Sequence, residues 1–157
     1  MSERQRASHQ HSAPTTAFYS PPEWDLLTDL PGRVLVAAAS PAPGRPPRGV
    51  AAGLAGLDAV AAGRGFDSDL VRAVVSAIYA RHDGVNERDG RLTDMVDLLA
   101  ACRATVRVLR RRADPADSAA YRQWVESVAA RVCRAGDGAS PADRRFLDRL
   151  GGALELR

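Results

Sequence analysis

The sequence predicts an all-α fold, a bundle of about six helices, and three observations carry that expectation. Its hydrophobic residues are mostly Ala, Leu and Val; Ile78 is the only isoleucine, and aromatics are 5% of the chain. Ala and Leu lose little side-chain entropy in a helix, whereas β-branched and aromatic residues favour sheets. One helix-start signal also occurs three times, as Ser20-Pro21-Pro22-Glu23, Asp114-Pro115-Ala116-Asp117 and Ser140-Pro141-Ala142-Asp143. Finally, no segment alternates apolar and β-branched residues with period two, so no strand is expected.

The repeated signal has a physical basis. A side-chain oxygen caps an orphan amide, proline at the first helical position has no amide to lose, and the carboxylate faces the positive helix end. Residues 1–19 precede the first signal; they are polar and without apolar period, and read as a disordered tail. His9 and His11 lie in it and read as solvated, because built metal sites sit on rigid elements. The single folded domain then spans residues 20–157.

Apolar spacing extends the helices. Leu27, Leu30, Val34 and Ala38 give the face of a first helix reaching about Ala39, with a kink or short break expected at Pro31-Gly32. Val50, Leu54, Leu57 and Ala61 give the face of a second, after the Pro/Gly-rich loop 40–47. Asp67 or Ser68 caps a third, carrying Val71, Val74, Val75 and Ile78. After a polar turn at 83–90, a fourth carries Leu92, Met95, Val96, Leu99, Cys102, Val106 and Leu109. Tyr121, Trp124, Val125, Val128 and Val132 line a fifth that stops at Gly136. Phe146, Leu147, Leu150 and Leu154 line a sixth. Short connections between amphipathic helices make a bundle.

Composition narrows the chemistry. All 22 basic residues are arginine, which excludes Schiff-base and lysine general-base mechanisms. The formal charge of +3 and pI of about 9.4 are too mild to imply nucleic acid without a clustered patch. Cys102 and Cys133 have apolar neighbours and read as small buried hydrophobes rather than a disulfide or zinc pair. No secretory segment or apolar run of about 20 residues is evident, so a cytoplasmic protein without a membrane span is expected.

Few residues offer chemistry. His82 beside Asp83 could act as an oriented general base, with Tyr79 and Trp24 as the other candidates for an apolar pocket. Without a nucleophile motif, a histidine completing the dipole of a helix end is the plainer reading. Arg103, Arg107, Arg110 and Arg111, with Arg112, form a basic stripe that could hold phosphate, nucleic acid or an acidic partner. A solvated helix face is the plainer account, and the lack of interleaved aromatics disfavours nucleic acid. Asp137 and Asp143 are weak metal candidates, since their spacing is not that of a calcium loop. Neither a metal nor a cofactor is expected.

Two helix–loop–helix units bracket the chain: LVAAASPAPGRPPRGVAAGLAGL at 35–57 and VAARVCRAGDGASPADRRFLDRL at 128–150. The second, with Asp137-Gly138-Ala139-Ser140 and then Asp143, resembles the TerB-like (tellurite-resistance B) group of all-helical proteins. PPEWDLLTDLPGRVLVAAAS and the segment from Tyr121 to Leu154 also resemble actinobacterial proteins of this kind. The resemblance covers most of residues 21–156 in layout, through short motifs. It implies an Ala-rich helix, an Asp-Gly turn and an acidic helix opening, together with a stress-response setting. The first unit departs from it: Ala42-Pro43-Gly44 replaces the Asp-Gly turn, and no carboxylate lies between Ser40 and Leu57. In the second, Asp143 stands where the group has glutamate.

The expected function is a non-catalytic binding or interaction protein, with a protein partner or a small molecule, and with a homodimer allowed. Its expected contact surfaces are the arginine stripe and the apolar first-helix segment. A small helical enzyme of the cyclase or isomerase type, working in an apolar pocket, is the alternative. Anion or nucleic-acid binding through Arg103 to Arg112 is the third reading.

Overall fold

A computed structural model describes residues 15–45, 48–81 and 94–157. Six α-helices fill it: α1 (Pro21–Ala39), α2 (Val50–Ala62), α3 (Asp69–Ala80), α4 (Met95–Arg112), α5 (Pro115–Arg134) and α6 (Pro141–Ala153). The described residues contain no strand, only an isolated bridge between Ala42 and Arg45. The protein is an all-α bundle.

The three cap–proline–acid signals open α1, α5 and α6. Ser20 Oγ accepts from the Glu23 amide at 3.3 Å and the Ser20 amide donates back to Glu23 Oε1 at 2.8 Å. Ser140 and Asp143 form the same reciprocal box, and Asp114 Oδ1 accepts from the Asp117 amide at 2.8 Å. Of the two candidates for α3, Ser68 is the cap, accepting from the Val71 amide.

At Pro31-Gly32, where a kink or short break is expected, there is no break, and α1 is continuously helical through it. Proline supplies no amide to the carbonyl four residues before it, here that of Leu27. The buried Tyr121 hydroxyl of α5 donates to that carbonyl at 2.7 Å. A side chain of another helix thus replaces the missing bond.

Helix α5 is the centre of the bundle and packs against all five others. Its apolar positions read from sequence, Tyr121, Trp124, Val125, Val128 and Val132, are all buried. The Trp124 indole N–H donates to the Ala59 carbonyl in the last turn of α2 at 3.1 Å. That carbonyl belongs to the orphan group at a helix C-terminus, so the bond satisfies both partners.

The facing of α2 differs from expectation. Its buried residues are Ala52, Gly56, Ala59 and Val60, followed by Gly63. This small-residue side lets α5 approach closely: a Cβ at Gly56 would lie 2.7 Å from Val132 Cγ2, and one at Gly63 2.8 Å from Trp124 Cε2. Val50, Leu54 and Leu57, read as the packing face, point outward. Periodicity identifies an apolar stripe; close approach to α5 selects the opposite side.

Smaller differences concern the ends. Thr15–Phe18, within the stretch read as a tail, form a 3-10 turn, and Tyr19 is buried. Leu92 lies outside the described residues; α4 starts at Met95 under an Asp94 cap, and Val96 is exposed rather than packed. Helix α5 ends at Arg134, and Gly136 follows with φ of 75°, a left-handed conformation suited to glycine.

Candidate functional site

Three helix ends meet at Asp143. Its side chain is almost fully buried at the start of α6. Arg45 Nε donates to its Oδ1 at 2.8 Å, while Arg48 Nη2 and the Ser140 amide donate to its Oδ2. Arg45 also donates to the Ala37 and Ala38 carbonyls in the last turn of α1. Arg48 Nη1 donates to the Cys133 carbonyl in the last turn of α5 at 2.9 Å. Two arginines from the connection between α1 and α2 therefore close two helix C-termini and anchor one N-terminus. Lysine lacks the fork that makes such simultaneous bonds. Burial pushes the Asp143 carboxyl up, but the bonds from Arg48, Arg45 and Ser140 outweigh it and hold it well below the usual carboxylate range.

In this hub both oxygens of Asp143, one of the two weak metal candidates, accept from cationic and amide donors. Asp137 is exposed in the turn before α6. No group of three or more potential metal-ligating side chains occurs among the described residues. The hub was not anticipated: its ion pairs span 98 and 95 residues. The available hint was two arginines in a Pro-rich loop with no carboxylate nearby.

The basic stripe on α4 divides. Arg110 pairs with Glu155, while Arg111 and Arg112 reach Glu23 at 3.1 and 3.4 Å. The Ser20 amide bond is the main influence holding Glu23 below its ordinary value, with smaller contributions from Arg112 and Arg111. Arg103 and Arg107 are exposed and have no ion pair among the described residues. The C-terminal half of the stripe thus ties α4 to α1 and to the chain end.

His82 and Asp83 lie outside the described residues. Tyr79 is partly exposed and carries the Arg64 guanidinium 4.3 Å over its ring. Trp24 packs on Tyr19 at the start of α1, with ring centroids 5.7 Å apart. Each is engaged in its own local packing. Burial pushes the Cys102 thiol up to about 11 and also raises Cys133, so neither supplies a thiolate near neutral pH.

The most conspicuous surface is the outer side of α2. Val50, Leu54 and Leu57 are 80%, 59% and 56% exposed, and the half-buried Ala61 continues their line. Asp58 is the only charged residue of α2, and it pairs with Arg131 at 2.6 Å. A helix apolar on both sides is ordinarily covered on both sides. Neither the comparison with models of known protein families nor the searches of curated proteins and solved structures find a match to this chain.

Proposed function

We propose that the protein is a non-catalytic interaction protein that self-associates through the outer face of α2. The observation that carries this reading is the exposed line Val50, Leu54 and Leu57, spaced one helical turn apart on a helix with a single charge. A second copy is the occupant because the surface is self-complementary. The single charge of α2, Asp58, is paired within the chain with Arg131, so the outer line Val50, Leu54 and Leu57 presents apolar side chains alone. Antiparallel pairing about a two-fold axis sets Leu54 of one copy against Leu57 of the other, so that each apolar line covers its counterpart.

The six large side chains contribute roughly 1.5–3 kcal/mol each when fully buried, on the order of 10 kcal/mol from their present exposure. Association costs at least about 4 kcal/mol. At most about 6 kcal/mol remains, which corresponds to a dissociation constant of tens of micromolar at the tightest. A TerB-like stress-response assignment is part of the same proposal and rests on the sequence resemblance of residues 128–150 alone.

Size-exclusion chromatography with light scattering tests the reading. The wild-type mass should rise from monomer toward dimer between about 10 and 500 μM, and Leu54→Asp should hold it at monomer. A wild-type chain that stays monomeric, or a dimer indifferent to Leu54→Asp, overturns it.

A further inference from the structure

A cavity of about 440 Å³ opens beside the Asp143 hub, between the end of α1, the Pro41–Arg45 turn, the first residue of α4 and the outer side of α6. Ala37, Met95 and Phe146 give it an apolar floor, and Arg145 and Arg149 stand in its lining. Arg45 also borders it, but its guanidinium lies 4.5 Å over the Phe146 ring and is committed to Asp143 and the α1 carbonyls. It shapes the floor and has little left to offer a ligand.

Arg145 and Arg149 differ from Arg45 in this respect. Both side chains are exposed, and neither has an ion pair among the described residues. They stand one turn apart on α6, where like charges cost a helix about 0.2–0.5 kcal/mol. An anion between them removes that repulsion and accepts from two planar donor forks. The apolar floor beneath them then selects what the anion is attached to.

We infer that this cavity binds a small, free anionic amphiphile: a carboxylate or phosphate head held by Arg145 and Arg149, with a short hydrocarbon body on Phe146 and Met95. The volume of the cavity is within the usual range for small-molecule sites. The site is separate from the outer face of α2 and does not depend on self-association.

The test is calorimetric titration of the full chain with octyl phosphate, inorganic phosphate and octanol, each below its aggregation limit. Octyl phosphate should bind at least tenfold more tightly than either fragment. Arg145→Gln and Arg149→Gln should each weaken it about tenfold, whereas Arg103→Gln on α4 should leave it unchanged. Both substitutions are at exposed positions, and circular dichroism should show an unchanged fold. Three results overturn the inference: no octyl phosphate binding, inorganic phosphate binding equally well, or loss through Arg103→Gln instead. Binding only to anionic vesicles, with none to the free monomer, overturns the assignment to a free ligand.

Discussion

The Tyr121 hydroxyl donates to the Leu27 carbonyl at 2.7 Å, and Leu27 is the residue whose helical donor Pro31 removes. Burial is the main cause holding the Tyr121 hydroxyl well above its ordinary value, so it remains a donor at all ordinary pH. Tyr121→Phe should cost about 1–3 kcal/mol, the price of leaving a buried carbonyl unpaired. In a Pro31→Ala background the restored amide should serve that carbonyl and reduce the loss by about 1 kcal/mol. Urea denaturation of the four proteins in the cycle measures the coupling; equal losses in both backgrounds would refute the replacement.

Asp143 is the acid-sensitive point. Its folded value is depressed, so its contribution is fully present above the unfolded value of about 3.9 and is lost as pH falls below it. Asp143→Ala should cost about 3–5 kcal/mol at pH 7, because it strands two guanidinium groups. The difference between wild type and variant should shrink steadily below about pH 4. Chemical denaturation at several pH values checks both points.

The contact between α2 and α5 depends on missing side chains. Gly→Ala within a helix normally stabilises by about 0.5–1 kcal/mol, yet Gly56→Ala should destabilise, by about 1–3 kcal/mol, through overpacking against Val132 and Leu35. Gly63→Ala should behave alike and also shift the fluorescence of buried Trp124. Thermal melts and emission spectra separate the two.

Leu54→Asp should leave monomer stability within about 0.5 kcal/mol of wild type, as expected for a surface change. Leu27→Ala, in the fully buried line of α1, should cost about 2–5 kcal/mol. Denaturation at low protein concentration makes the comparison without the complication of association.

The helix starts could be read from sequence because their physics is local: Ser20 with Glu23, Asp114 with Asp117, and Ser140 with Asp143 act within four residues. The buried line of α5 could be read as well, since its large apolar residues are the ones that pack. Helix α2 could not be oriented that way. Its large residues form the regular stripe, but Gly56 and Gly63 decide which side can approach α5, and that depends on the surface of another helix. The pairing of Arg45 with Asp143 could not be read for a related reason, because nothing local marks partners 98 residues apart.

Self-association through α2 is tested most directly by isotope-filtered NMR on a mixture of ¹³C-labelled and unlabelled chains. Intermolecular NOEs between the Leu54 methyls of one copy and the Leu57 methyls of the other are expected, lost on dilution. A concentration-dependent dimer whose intermolecular NOEs arise elsewhere, or no such NOEs at millimolar protein, would contradict it.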